Sequence, residues 1–574
     1  MNLTYPKGFS HWGWLALSLL VPLHYGFWSW RYAHSAAYIV QDDARLHLIW
    51  MQRWVDPQLF ANDEIADYFS TIQLPGFQAL YGGLAQLGIG PMMTASVLPT
   101  VLSLIATVYL FRLAQLLLPL AAAGFWVTLI FNQNIWIKDD LISATPRAFV
   151  YPLFTAFLYY LARRAYLGCG VTLVLQGLVY PQLLLVSVGT LTLRLWRGGP
   201  RLSRRWQDYA LWLTGLAMAG IVAVVFSSAV SAQYGSIATA AQIRALPEFQ
   251  LGGRSEYFGI PAIYFWFRGA SGMRIPLFPP IILTGLALPV LFYCWRPTKQ
   301  ITSQIALLRD VSLASIGLFG LAHLTFSRLY LPSRYSYYSA RVVMAIATGL
   351  LITLFFQQFW RWWRRSRGVP WIKGVTAGLV GLALVMVVTV PLIPSLFLTG
   401  HNWVAGQYPG LYEFLARQPK SSLVASLSRE ADNLPAFAQR SVLFSRELAL
   451  PYHPSFYAPM LARLRDIVEA QYSPQLSQVS EVIKTYGVDF WLLGRQFDQA
   501  GYLRDRDWLM HTSVRAEVAE QINQLQAGQT PALAGIIDDC TVFEEKDLIL
   551  LDATCITRAA QAEGGSVIPA PDNS

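Results

Sequence analysis

Long apolar runs separated by short polar connectors dominate the first 400 residues. They lie at 11 to 30, 92 to 113, 116 to 137, 147 to 162, 171 to 196, 208 to 230, 276 to 295, 311 to 330, 341 to 359 and 372 to 397. A helix needs about 20 apolar residues to cross the hydrocarbon core, so the pattern predicts a polytopic α-helical membrane protein. Within 171 to 196, Pro181 in "QGLVYPQLLL" removes a backbone donor and breaks the helix. That run reads as two half-length helices that enter and leave by the same face, their broken backbone buried among neighbours. The glycine-rich stretch "GFQALYGGLAQLGIG", 76 to 90, is too short to span and is predicted to lie at the outer interface. Trp12, Trp14, Trp28 and Trp30 flank the first run like interfacial belts. They favour a retained helix over a cleaved signal peptide with Lys7 before the run and "AHSAA" after it.

Near Gly400 the pattern changes. Helical stretches such as 455 to 471 alternate with strand candidates "SLVASL" (422 to 427), "VDFWLLG" (488 to 494) and "DLILLD" (547 to 552). Residues 1–398 are therefore expected to form the membrane module, with a first outer loop at 31–91, and 399–574 a small α/β domain.

Composition agrees: the 574 residues are 54% hydrophobic and 14% aromatic, with a mean hydropathy of +0.39, too apolar for a soluble core. The net charge of +10, from 43 basic and 33 acidic residues, is expected in cytoplasmic loops rather than on a nucleic-acid surface. Arg163, Arg164, Arg194, Arg197, Arg201, Arg204, Arg205, Arg296, Lys299, Arg361, Arg364, Arg365 and Arg367 are assigned to that side. This gives about nine full crossings plus the broken cytoplasmic-side pair. The N-terminus is then cytoplasmic, and 31–91, 138–146, 231–275 and everything after 398 lie outside. Four cysteines without a CxxC pattern exclude a disulfide scaffold and a zinc knuckle. Cys540 and Cys555, outside the cytoplasm, are expected to form a disulfide; two buried thiols are the alternative.

Charge also gathers where it is least expected. "IVQDDARLHLIWMQRWVDPQLFANDEIADYF", residues 39 to 69, carries Asp42, Asp43, Asp56, Asp63, Glu64 and Asp67 in a chain that is 13% charged. "ARLHLIWMQRWV" is predicted to be an amphipathic helix on the outer membrane surface. An N-cap would explain one aspartate of the first pair. A second pair, Asp139 and Asp140 in "NQNIWIKDDLISATPRAFVYP", falls at the same boundary. Ionisable groups near membrane depth tend to line a site; the plain alternative is a solvated turn. Asp56, Asp63, Glu64 and Asp67 read as a solvated turn around Pro57.

An aspartate pair directly after the first membrane helix resembles the GT-C superfamily of integral-membrane glycosyltransferases. The "DD" form is similar to that of mycobacterial arabinosyltransferases. Its position is similar to the "DE" of protein mannosyltransferases and of the aminoarabinose transferase of lipid A. The second acidic site is similar to that of oligosaccharyltransferase catalytic subunits. "LQGLVYPQLLLV", "SRLYLPSRYSYYSARVVM" and the tail "LYEFLARQPKSSLVASL…FAQRSVLFSRELALPYH…YGVDFWLL" also look like family features, and the longer acidic pattern resembles a cyanobacterial branch. The chain departs from the family in lacking a WWD-type motif and in having DD rather than DxD at the second site.

The resemblance implies transfer of a hexosyl or pentosyl unit from a polyprenyl-phosphate donor to a hydroxyl of a glycan, lipid or protein, with inversion. It makes Asp42 the first choice and Asp43 the second for the base that takes the acceptor proton. Cations must meet the lipid-phosphate leaving group. Arg334, Arg341 and Arg328 are the candidates, with snorkelling interfacial arginines as the bland reading. Arg254 and Glu256 in "FQLGGRSEYFGIP" are read as a substrate-covering loop, and Arg147 as a salt-bridge partner of Asp139 and Asp140. His47 and His323 are expected to be filler. No cofactor is required. A divalent cation, Mg²⁺, Mn²⁺ or Ca²⁺, is optional, with Asp43 and Asp139 as its ligands where one is used. No GxxxxGK[ST], GxGxxG or HExxH motif is present, which argues against nucleotide and zinc-hydrolase chemistry. The rival functions are a transporter or flippase and a non-catalytic assembly protein.

Overall fold

The structure, a computed structural model, describes residues 11–196, 202–365 and 370–565; Lys7, Arg197, Arg201 and Arg367 fall outside them. The chain divides into two units. The first comprises the residues up to Ala44, Leu74–Ser228 and Trp266–Val404; the second comprises Arg45–Gln73, Ala229–Phe265 and the chain from Ala405 onward. This differs from the contiguous division at 398/399, because segments of two predicted outer loops have apolar faces that pack with the tail.

Five helices among the described residues are long and apolar enough to cross a membrane: Pro91–Leu117, Trp206–Tyr234, Ser303–Leu324, Ser333–Arg365 and Pro370–Leu392; all lie in the first unit except the end of Trp206–Tyr234 from Ala229 on. Two of them are almost bare, with 17% of the apolar window buried in Trp206–Tyr234 and 6% in Pro370–Leu392. Apolar helices left uncovered by protein require lipid as their solvent, so the chain is an integral membrane protein. His11–Ala33, Ala121–Ile135 and Val150–Arg163 follow other expected runs without reaching that combination of length and hydropathy. The run around Pro181 is two helices, Tyr166–Val179 and Pro181–Leu195, with the proline in the first turn of the second. There its missing N–H costs nothing. Residues 76 to 90 contribute a twelve-residue helix, Pro75–Gln86, too short to span.

The centre of this unit is the packing of Ser333–Arg365 on Ala121–Ile135. A Cβ at Gly349 would lie 2.5 Å from the backbone of Val127, so only glycine lets these helices meet. Arg194, expected on the cytoplasmic side, is buried and paired with Asp310 at 3.3 Å.

A short bracket, residues 400 to 402, ties distant parts of this unit together. The His401 Nε2–H donates to the Trp136 carbonyl at 2.5 Å, while its Nδ1 accepts from the Trp403 indole at 3.3 Å. That pair of bonds selects one neutral tautomer. The Gln41 side chain donates to the His401 carbonyl at 3.2 Å, and the Asp42 backbone N–H donates to the Asn402 carbonyl at 3.0 Å. Burial pushes the His401 imidazole down to about 4.

The second unit is built on a five-stranded sheet. Its order is Ser441–Val442, Leu423–Ser426, Phe490–Gly494, Leu548–Asp552, Thr541–Glu545; the first three are parallel and the last two antiparallel to their neighbours. Helices Pro454–Tyr472 and Leu476–Tyr486 precede the strand Phe490–Gly494. The expected surface helix after Asp43 is instead a six-residue helix, Asp42–His47, followed by a 3₁₀ turn, Ile49–Trp54. Leu46, Ile49 and Trp50 are buried against Phe69, Val442 and Leu448, so protein rather than lipid takes up this apolar face. The turn around Pro57 is exposed, as expected, but its carboxylates also have partners. Asp56 pairs with Lys420 at 2.5 Å, Glu64 with Arg463 at 2.5 Å and Asp67 with Arg53 at 2.6 Å, while Asp63 caps the helix Glu64–Thr71. Cys540 and Cys555 are joined by a disulfide that closes a sequence separation of 15.

Two outcomes follow for stability. A loop of this length stabilises by about 3 kcal/mol through the unfolded chain, so Cys540→Ser in the full-length protein is expected to lower the thermal unfolding midpoint by several degrees, and reducing agent to lower the wild-type midpoint equally. The unfolded chain takes up the His401 proton near 6.5 and the folded one only near 4. The stability from neutral His401 is therefore full above about 6.5 and is lost as pH falls toward 4, by on the order of 3 kcal/mol. Unfolding midpoints recorded from pH 7 to 5 should show this slope, and His401→Gln, which keeps a donor but does not titrate, should flatten it.

Candidate active site

Asp43 of the first acidic pair joins the second pair within the membrane unit. Asp42 and Asp43 open the short helix that follows the strand Ile39–Gln41, which pairs with the strand beginning at Trp403. Neither aspartate is needed to cap that helix, because the Gln41 side-chain oxygen accepts the Ala44 N–H at 3.0 Å. Asp139 and Asp140 open a four-residue helix, Asp139–Ile142, directly after the end of Ala121–Ile135. The Asn402 amide donates to Asp139 Oδ2 at 3.2 Å, so the segment that holds the Asp42 backbone also holds the second acidic pair.

Arg147 sits between the pairs. Its Nη2 contacts Asp43 Oδ2 and lies 3.7 Å from Asp139 Oδ2, and its Nη1 is 3.5 Å from Asp140 Oδ1. Asp140 is 1% exposed, which rules out the solvated turn. Its second oxygen lies 3.3 Å from Arg341 Nη1, and Arg341 donates in turn to the hydroxyls of Tyr151, at 2.8 Å, and Tyr337. The two guanidinium groups supply the opposite charge that a carboxylate withdrawn from water requires. Burial pushes the Asp139 carboxyl up to about 6, helped by the charge of Asp140, while Arg274 and Arg334 pull the other way.

Arg334 donates to the Tyr338 hydroxyl at 2.9 Å. Arg274, in the segment before Pro276, stacks over the Tyr337 ring at 4.3 Å. The structure thus brings Asp43, Asp139, Asp140, Arg147 and Arg341 into one ion-pair cluster, with Arg334 and Arg274 at its edge. Other candidates have no ion pair with this cluster among the described residues. Arg328 is exposed, with its backbone N–H bonded to Thr325. Arg254 and Glu256 belong to the second unit, where Arg254 pairs with Glu447 at 2.8 Å and Glu256 accepts the Gly252 N–H at 3.0 Å. Arg254 thus ties its loop to the tail, and Glu256 holds the loop itself. His47 bonds Gln73 at 2.6 Å and His323 the Ser271 carbonyl at 2.9 Å.

Gln41, His401, Asn402 and Arg274 carried no motif by which sequence reading could select them. Arg147 was selected, but only as a partner of Asp139 and Asp140; its contact with Asp43 required the fold.

No family model matches the chain, and no curated protein matches it either. Solved structures do match. ArnT from Cupriavidus metallidurans, bound to undecaprenyl phosphate, aligns with a TM-score of 0.50 at 12% identity, covering 94% of this chain and 98% of that one. Oligosaccharyltransferase AglB from Archaeoglobus fulgidus, in complex with an inhibitory peptide and a dolichol-phosphate, aligns with a TM-score of 0.50 at 11% identity, covering 88% of this chain and 72% of that one. Both are membrane glycosyltransferases of the GT-C superfamily, and the likeness establishes that this chain shares their fold.

Proposed function

We propose that the protein is a glycosyltransferase that moves a sugar from a polyprenyl-phosphate carrier to an acceptor hydroxyl on the extracytoplasmic face of a bacterial inner membrane. The N-terminus is cytoplasmic in this reading, with about nine crossings and a broken helix pair. The observation that carries it is the meeting of Asp43, from the first aspartate pair, with Asp139 and Asp140 around Arg147 and Arg341 in one cluster of the membrane unit. The lipid phosphates named in the two structural neighbours support the donor class.

Asp42 is assigned as the base. Asp43 is ion-paired with Arg147 and so is already committed to a cation. The acceptor oxygen bonds to the anomeric carbon as the carbon–oxygen bond to phosphate breaks. The acceptor proton passes to Asp42, and the electron pair of the broken bond leaves on the phosphate. Arg341 is committed to Asp140, Tyr151 and Tyr337, which leaves Arg334, together with Arg274, to meet the charge developing on that phosphate.

In cells lacking the chromosomal copy, Asp42→Asn is expected to lower formation of the missing glycan by about 100-fold or more, the range of a lost general base. Asp43→Asn should retain a measurably larger share at equal membrane abundance. Equal glycan levels in wild type and Asp42→Asn would overturn the assignment, and an unchanged glycan profile in the deletion strain would overturn the function. For the purified protein, Arg334→Ala should weaken undecaprenyl-phosphate binding, measured by native mass spectrometry, by about 10-fold, while Arg328→Ala leaves it unchanged.

A further inference from the structure

Carboxylates from separate segments are a donor set for a hard divalent cation. The residues present do not fit one. The position such an ion would take among Asp43, Asp139 and Asp140 is occupied by the Arg147 guanidinium, which contacts Asp43 and lies 3.7 Å from Asp139 and 3.5 Å from Asp140. The remaining oxygen of Asp140 faces Arg341 at 3.3 Å, and Asp139 Oδ2 also accepts from Asn402 at 3.2 Å. Among the described residues, no group of three or more His, Cys, Asp or Glu is arranged to hold a metal ion.

Arg147 is also anchored to stay. It lies in the 3₁₀ turn Pro146–Phe149, which runs directly into the helix Val150–Arg163, with Pro146 fixing the entry. Its side chain is 16% exposed, so it cannot retire into solvent without opening the cluster. A guanidinium carries its charge at every physiological pH and spreads it over a planar fork. That suits it to engage carboxylates from two segments at once.

We propose that Arg147 is the resident cation of this site, standing where a divalent metal would otherwise join the two acidic segments. It acts as a positioning residue, drawing Asp43 toward Asp139 and Asp140 and so setting the adjacent Asp42; only this last link rests on the glycosyltransferase reading. Without Arg147, three carboxylates face one another with no cation between them, and the vacancy acquires affinity for a divalent ion.

The test uses full-length protein in nanodiscs of zwitterionic lipid, stripped with EDTA and titrated with Mn²⁺, with free Mn²⁺ read by electron paramagnetic resonance. Wild type is expected to bind less than about 0.1 equivalent at roughly 100 µM Mn²⁺, within the range where exposed carboxylate sites fill. Arg147→Ala should bind about one equivalent, and adding Asp139→Asn should weaken that binding by about 10-fold or more. Arg147→Lys, which keeps a cation, should behave like wild type.

Stoichiometric Mn²⁺ binding by wild type that Asp43→Asn or Asp139→Asn abolishes would overturn the proposal. So would a folded Arg147→Ala protein that binds none. Should Arg147→Ala not fold, the wild-type and Arg147→Lys titrations decide alone. The Mn²⁺ measurement is independent of sugar transfer, so a failure of the glycosyltransferase reading leaves it standing. Where transfer is measured, wild type should keep its rate in EDTA.

Discussion

A charge withdrawn from water must find opposite charge at contact distance, and Asp140 is the residue on which this demand falls hardest. At 4 Å and an effective dielectric of about 20, one ion pair contributes on the order of 4 kcal/mol. Removing each ion from water costs several kcal/mol. One arginine would leave that balance doubtful for a carboxylate that is 1% exposed. Two arginines on different segments, one of them further satisfied by two tyrosine hydroxyls, offset the cost. The arrangement requires the helices carrying Arg147 and Arg341 to approach the turn at Asp139, so the electrostatics and the helix packing constrain each other.

The bracket at 400 to 402 extends the same logic to the backbone. His401 is buried and neutral, bonds Trp136 and accepts from Trp403, while its own carbonyl receives Gln41. Asn402 receives the Asp42 N–H on its carbonyl and donates its amide to Asp139. A side chain that must accept a proton in a transition state gains from being held before the reaction begins, since no reorganisation is then spent on placing it. Gln41 contributes in a quieter way: its side-chain oxygen accepts the Ala44 N–H in the first turn of the short helix.

Much of this architecture was legible in the linear pattern. The apolar runs anticipated the long helices, Pro181 marked a real break, and the strand candidates at 422, 488 and 547 coincide with three strands of the sheet. The stretch after Asp43 was harder to read. Leu46, Ile49 and Trp50 have the spacing of a membrane-surface helix, but the same spacing serves equally well for burial in protein, and that is where they go. The carboxylates from Asp56 to Asp67 looked like solvent contacts because Lys420 and Arg463, which answer two of them, lie hundreds of residues away.

That the chain is a membrane protein with aspartate pairs at two loop entrances can be read from the linear pattern, because hydropathy and local composition act over a turn or two of helix and need no knowledge of the fold. Packing in three dimensions was needed to put Arg147 among those aspartates, to assign Arg254 and Glu256 to another unit, and to let a Gly-His-Asn segment near residue 400 tie the acidic loops together. Ion pairs and buried hydrogen bonds depend on distances through space, and Asp43, Asp140, Arg147, Arg341 and Asn402 come within bonding range of their partners only after segments separated by up to some 360 residues along the chain have packed.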